Sequence, residues 1–267
     1  MYEEHWKLKC LPFENAPDPV FFYESKGHRE AYTRLSFSIE TKKAIALITG
    51  DYGSGKTVLC QNVIRLLSPN RFKVAVITNP RMDSIDFTRE IAYQLGEEIN
   101  SRVKYDVLHA FNNLLDRHSA AGRHCVTIVD EAQLVTDASV LEDLRLLLNY
   151  QYTGRFLMTL VLVGQTELND ILRPIPQMMQ RVALRFHIPH LDEDEVRKYM
   201  KHRLETAGGT IDIFDDQAIA RVEALSKGNP REINALCDMA LLTASLAGKS
   251  QVTLQDINDI GQEREYV

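Results

Sequence analysis

Gly50-Asp51-Tyr52-Gly53-Ser54-Gly55-Lys56-Thr57 fits the phosphate-binding pattern G-x-x-x-x-G-K-[ST] at every fixed position. Its flanks supply the context the pattern needs. Ala44-Ile45-Ala46-Leu47-Ile48-Thr49 is a short apolar run of strand type that ends directly on Gly50. After Thr57, the apolar residues Val58, Leu59, Cys60, Val63, Ile64, Leu66 and Leu67 recur at helical spacing. A buried strand therefore feeds a glycine-rich turn, and the turn feeds a helix N-terminus. The glycines let backbone N–H groups curl around phosphate oxygens where a side chain would block the approach. The helix N-terminus adds unpaired donors and partial positive charge. Lys56 supplies a point charge for β- and γ-phosphates, and the Thr57 hydroxyl can ligate Mg²⁺. Gly50, Asp51, Tyr52, Gly53, Ser54, Gly55, Lys56, Thr57 and Val58 are thus the expected binding segment for a nucleoside triphosphate.

Further along, Phe72-Lys73-Val74-Ala75-Val76-Ile77-Thr78 reads as a second buried strand, and two helices are predicted over about 85–98 and 103–120. His124-Cys125-Val126-Thr127-Ile128-Val129-Asp130-Glu131 reads as a third strand, apolar until it ends in two acids. A carboxylate at the C-terminal end of a parallel strand stands where open α/β sheets bind ligands. Asp130 can hold Mg²⁺ through its water shell, and Glu131 can orient and polarise an attacking water. A leucine-rich helix follows over about 140–149, its leucines core-facing. Phe156–Gly164 is a fourth strand ending at Gln165-Thr166, where a polar side chain can report on a γ-phosphate. Gln165 is the preferred sensor, because Thr166 also reads as a helix cap. The segment 168–180 carries Pro174 and Pro176, so any helix there is interrupted. Arg181 and Arg185 precede a short fifth strand, Phe186-His187-Ile188-Pro189, whose proline favours an end or edge position.

Beyond Leu191 the pattern is helical only, over about 193–207, 215–227, 231–247 and 254–263, with Gly208-Gly209 and Gly228-Asn229-Pro230 as breaks. Upstream, residues 1–26 read as an irregular lead-in rich in aromatics and proline, suited to packing near the nucleotide site, and a helix is predicted from Glu30 to about Lys42. This divides the chain into 1–26, a nucleotide-binding α/β domain over 27–190, and a small helical lid over 191–267.

Composition adds bounds. The chain has 267 residues with 31 Lys+Arg against 37 Asp+Glu, a formal net charge of −6, which gives no global argument for nucleic-acid binding. No apolar stretch approaches a membrane span and no signal-peptide pattern opens the chain, so a cytoplasmic location is expected. Cys10, Cys60, Cys125 and Cys237 are scattered without metal-type spacing, as fits a reducing compartment.

Taken together, these stretches resemble an AAA+ ATPase, and more narrowly the GspA/ExeA group of bacterial secretion ATPases. The resemblance rests on His5-Trp6-x-Leu8 through Pro12-Phe13, Pro17-Asp18-Pro19, His28-Arg29-Glu30-Ala31, Asp130-Glu131-Ala132-Gln133, Leu162-Val163-Gly164-Gln165, Gln180-Arg181 and Pro230-Arg231-Glu232-Ile233-Asn234. It implies an α/β P-loop NTPase of AAA+ type, with a five-stranded parallel sheet sandwiched by helices and a small C-terminal all-helical lid. It also implies ATP and Mg²⁺ as ligands, Gln165 as first sensor and Arg231 as second sensor reaching the γ-phosphate. Arg181 comes first and Arg185 second as the arginine finger of a homo-oligomer. The partner it implies belongs to a secretion or pilus machine. Full-length secretion relatives continue into a transmembrane segment and a periplasmic domain, whereas this sequence stops at Val267. A truncated module, or a stand-alone member similar to the MshM pilus ATPases, is therefore expected. Stand-alone ATPases that accompany transposases, in the manner of TnsC or TniB, give the alternative, with DNA and a transposase as partners.

Overall fold

The computed structural model of the chain describes residues 2–16, 18–152 and 154–265. Pro17, part of one stretch that carries the resemblance, lies outside the described residues, as do Met1, Thr153, Tyr266 and Val267. In chain order the elements are α1 (Glu3–Trp6), α2 (Lys26–Glu40), β1 (Ile45–Gly50), α3 (Lys56–Leu66), β2 (Phe72–Ile77), α4 (Ser84–Leu95), α5 (Lys104–Ala120), β3 (His124–Val129), α6 (Ala138–Leu147), β4 (Met158–Gly164), α7 (Leu168–Leu172), α8 (Pro176–Met179), β5 (Val182–Ile188), α9 (Glu193–Thr206), α10 (Asp216–Ser226), α11 (Pro230–Leu246) and α12 (Leu254–Glu265). They fall into two compact units. One comprises Arg29–Asp51 and Leu59–Ile188; the other comprises Met1–His28, Tyr52–Val58 and Pro189–Val267.

The first unit is built on a five-stranded parallel sheet in the order β2-β3-β4-β1-β5. Successive strand side chains point to opposite faces. Ile45 and Leu47 of β1 accordingly join Phe87 and Ile91 of α4, Leu115 of α5 and Leu144 of α6. Ala46 and Ile48 instead join Leu35 of α2 and Val63 of α3. With helices on both faces, both residue sets are mainly apolar, which is why β1, β3 and β4 read as near-continuous apolar runs broken only by Thr49, His124, Thr127 and Thr159, all buried. Each such Leu or Ile contributes about 1.5–3 kcal/mol on full burial. Thr49 pairs with Gly164 and Val129 with Leu162, so β1, β3 and β4 deliver Gly50, Asp130 and Gln165 to one edge of the sheet.

The second unit closes around a core from α9 to α12 that also takes in Tyr2, Trp6 and Phe13 of the lead-in. Arg203 of α9 is buried and fastens that lead-in: Nε donates to the Pro12 carbonyl, Nη2 donates to the Glu14 carbonyl at 2.7 Å, and the guanidinium lies 4.7 Å from the Phe21 ring centroid. Asp192 caps α9 through a capping box with Glu195. The Glu195 carboxylate also accepts from the Lys26 N–H at 2.7 Å, satisfying one of the donors that open α2.

Three local expectations are corrected. The lead-in is not wholly irregular: α1 forms because Trp6 is buried and its Nε1 donates to the Leu241 carbonyl at 2.9 Å, and Lys7 ends the helix at φ 56°. The fourth strand starts at Met158, while Arg155–Phe156 pairs antiparallel with Gln151–Tyr152 in a short hairpin. The fifth strand is seven residues long, and Arg185 lies inside it. As an edge strand it exposes Ala183, Arg185 and His187 in alternation, so it lacks the apolar run that marks the central strands.

Candidate functional site

The part of the phosphate-pattern loop in the second unit, Tyr52–Val58, packs against two other segments of that unit. Gly53 and Gly55 sit at φ +81° and +85°, in the left-handed region that glycine reaches without strain. Space forbids a side chain as well. A Cβ on Gly53 would lie 2.5 Å from Arg231 Cβ, and one on Gly55 would lie 2.7 Å from His28 Nε2. Asn229 caps α11, accepting from the Arg231 N–H at 3.0 Å, and its Nδ2 donates to the Tyr52 carbonyl at 2.8 Å. Pro230, at the first helical position, lacks only an N–H that would be unpaired there anyway. The Arg231 guanidinium stacks 4.2 Å from the Tyr52 ring centroid, so the expected second sensor lies on the loop.

On the other side, His28 Nε2 bonds the Ser54 carbonyl at 2.9 Å and Nδ1 bonds Ser25 Oγ at 2.7 Å. A carbonyl only accepts, so Nε2 carries the hydrogen and Nδ1 accepts from the serine hydroxyl. Burial holds the His28 pKa below the ordinary histidine value, consistent with this neutral form, and Phe22 meets the ring edge-on at 5.3 Å. The aromatic lead-in thus reaches the loop through His28, while Trp6 and Phe13 are spent in the core.

The loop's donors fit a polyphosphate. Lys56 is only 5% exposed, and Ser54 Oγ is buried with no hydrogen-bond partner. An unpaired buried hydroxyl is uncommon and marks a place where a ligand atom completes the set. The Thr57 hydroxyl and the Asp130 carboxylate are hard oxygen donors of the kind Mg²⁺ takes. Among the described residues no group of three or more His, Cys, Asp or Glu forms a metal cage. Mg²⁺ at a nucleotide site uses one or two protein oxygens, with water and phosphate supplying the rest.

In the sheet unit, Asp130 continues the strand ladder, its N–H donating to the Ile77 carbonyl at 2.9 Å, and its Oδ1 accepts from the Glu131 N–H at 2.9 Å. Glu131 turns the chain at φ 50° into the short helical turn Ala132–Leu134. Gln133 Nε2 donates to Glu131 Oε2 at 2.5 Å, and Gln133 Oε1 accepts from the Gln165 N–H at 3.1 Å. Thr166 does not cap: Glu167 holds the N-cap position of α7, without a side-chain cap bond. Arg181 donates from Nη1 to the Arg145 carbonyl at 3.0 Å and from Nη2 to Asn149 Oδ1, both at the end of α6. Arg185 donates to the Met179 carbonyl at 3.3 Å.

The sequence reading gave no role to His28, Asn229 or Gln133. His28 and Gln133 lie in stretches that carry the family resemblance, and Asn229 lies in the Gly228-Asn229-Pro230 break ahead of the last of them.

The profile of the family described as AAA domain matches residues 39–172, half of the chain. The chain belongs to the AAA domain family. It is 34% identical over 266 residues to General secretion pathway protein A of Aeromonas hydrophila, an alignment that covers 97% of this chain and 47% of that protein. This AAA chain therefore spans about half the length of that relative, and the resemblance to the GspA/ExeA group is borne out. Among solved structures it is similar to the Aeropyrum pernix ORC1 protein in complex with DNA, with TM-score 0.67, 18% identity, and coverage of 95% of this chain and 69% of that one. It is also similar to the Thermotoga maritima RuvB Holliday junction branch migration motor, with TM-score 0.60, 16% identity, and coverage of 94% and 72%. At such identities the likeness is one of fold, the AAA form of the P-loop NTPase fold. Among the described residues no helix is long and apolar enough to cross a membrane.

Proposed function

We infer that this AAA chain is a Mg²⁺-dependent ATPase that oligomerises and uses ATP binding and hydrolysis to assemble or remodel a bacterial secretin or pilus machine from the cytoplasmic side. The observation that carries the ATPase reading is the loop itself: Gly53 and Gly55 in left-handed backbone, Ser54 Oγ buried and unpaired, and a buried Lys56 opening α3. The secretion assignment is supported by the 34% identity to General secretion pathway protein A.

In this reading the loop N–H groups and Lys56 hold the phosphates. The Thr57 hydroxyl and, through water, Asp130 are the metal ligands. Bound Mg²⁺ neutralises charge on the phosphate oxygens. The Glu131 carboxylate accepts a hydrogen bond from the attacking water and aims its lone pair, while Gln165 and Arg231 sense the γ-phosphate. Residues 191–267 act as the lid. In an oligomer, Arg181 is the first candidate to reach a neighbour's phosphate, with Arg185 second. Its forked, permanently charged guanidinium suits charge spread over a transferring phosphoryl group.

Titration calorimetry of ATP with Mg²⁺ tests the binding half. Lys56→Ala is expected to weaken affinity by about a hundred-fold while thermal unfolding stays close to that of the parent, as expected when a charge-assisted contact to phosphate is lost. Equal affinities in mutant and parent would sink the assignment. Because the chain is acidic overall, no tight complex with duplex DNA is expected near physiological salt. A salt-sensitive, ATP-dependent DNA complex would transfer preference to a regulator of transposition.

A further inference from the structure

Gln133 lies two residues past Glu131, and both ends of its side-chain amide are engaged. Nε2 donates to Glu131 Oε2 at 2.5 Å, and Oε1 accepts from the Gln165 N–H at 3.1 Å. Among side chains of this length only an amide donates and accepts together. A glutamate only accepts when ionised, and a lysine only donates. The end of β4 is shaped around the amide: a Cβ on Gly164 would lie 2.5 Å from Gln133 Oε1 and 3.0 Å from Leu168 Cδ2. Gly164 has no need of left-handed backbone, since its φ lies outside the positive range. Its lack of a side chain therefore matters for room. One oxygen of the Glu131 carboxylate is committed to Gln133, which restrains the group's orientation and leaves the other oxygen to meet a water.

The geometry points to Gln133 as a positioning residue for hydrolysis, holding the Glu131 carboxylate to the end of β4 so that one side chain sets both the water-orienting group and the segment that carries Gln165. This rests on the reading of Glu131 as the residue that orients water. It places Gln133 in the turnover step, with no part in holding ATP. A residue that merely stabilised the turn would affect both bonds and both functions together.

Two substitutions separate the bonds. Gln133→Glu keeps the length and an acceptor for the Gln165 N–H, but it cannot donate to Glu131. Gln133→Ala loses both. Hydrogen exchange at the Gln165 amide, measured without nucleotide, reports the first bond independently of activity. The expected exchange at that amide is about five-fold faster or more in Gln133→Ala and close to parental in Gln133→Glu. The expected kcat is about ten-fold lower or more in both variants, with KM within about two-fold of the parent. Parental kcat in Gln133→Glu, a loss confined to KM, or unchanged exchange in Gln133→Ala would each overturn the assignment. Glu131→Gln run alongside tells the two readings apart. If it turns over at the parental rate, the role of Glu131 is wrong and this assignment falls with it. If it is inactive while both Gln133 variants keep parental kcat, only the role of Gln133 falls.

Discussion

Gly53 and Gly55 take their shape from backbone that other residues adopt only under strain, and neighbouring side chains occupy the space a Cβ would need. Glu131 also sits in left-handed backbone, at φ 50°, but what sets it apart is its carboxylate, aimed by a partner, Gln133, itself anchored on a different strand end. The first arrangement is written in a few consecutive residues. The second depends on the register of β3 with β4, where Val129 faces Leu162. Loop geometry that rests on glycine backbone and on side chains packed directly against it tolerates change poorly. A carboxylate aimed through an amide that is itself held at another strand end, as proposed for Glu131, can be shifted while the loop keeps its shape.

The sharpest way to break this contrast is Glu131→Gln. The substitution keeps size and the contact to Gln133 Nε2, but it removes the charge that in the proposed role polarises water. ATP affinity is expected within about two-fold of the parent, while single-turnover hydrolysis falls by about a hundred- to a thousand-fold. Stopped-flow phosphate release beside calorimetric binding checks both. Parental hydrolysis would show that another residue orients the water, and a matching loss of affinity would show that loop and acid are not independent.

The legibility of the two regions in sequence follows the same physics. The loop, the central strands and the acids ending β3 could be read because a doubly covered parallel sheet forces continuous apolar runs. The edge strand β5 was under-read, since Arg185 and His187 face outward and interrupt the apolar run. The lead-in helix α1 owes its existence to Trp6 burying against Leu241, a contact no local pattern announces. His28 and Gln133 escaped for a related reason. Nothing in a histidine or glutamine shows which carbonyl or carboxylate, dozens of residues away or just upstream, it will meet once folded.

A somewhat smaller effect concerns the arginines. Arg181 is tied within its own chain to the Arg145 carbonyl and to Asn149 at the end of α6, a favourable place for a cation. Serving a neighbouring copy requires that tie to exchange for a phosphate. If it does, Arg181→Ala binds ATP nearly as the parent does and hydrolyses about a hundred-fold more slowly. Mixing it with Lys56→Ala then recovers activity, since a mixed interface pairs an intact loop with an intact arginine. Binding would then be complete in one chain, and turnover only in two. Flat specific activity on dilution together with no recovery on mixing would end the shared-site idea, and the same series on Arg185→Ala decides between the candidates.

The smallest expected effect probes whether backbone or packing makes the loop intolerant. Gly122 sits at φ +73° with nothing within 4 Å of an added Cβ, so Gly122→Ala carries left-handed strain alone. Gly55 has the same kind of φ, +85°, but its Cβ would press to 2.7 Å on His28 Nε2. His28 has little freedom to yield, being buried and bonded on both ring nitrogens. Both substitutions cost about 1–2 kcal/mol for the backbone, a shift of a few degrees in Tm. Only Gly55→Ala should add the cost of moving His28 and the Ser54 carbonyl it holds. The expected outcome is a comparable or larger loss of stability in Gly55→Ala and about a ten-fold loss of ATP affinity, with affinity unchanged in Gly122→Ala. Parental affinity in Gly55→Ala would mean that the loop absorbs the methyl and that His28 does not set its shape. A loss of affinity in Gly122→Ala as well would trace the effect to general destabilisation, and the claim that the loop is enforced by its immediate neighbours would fail.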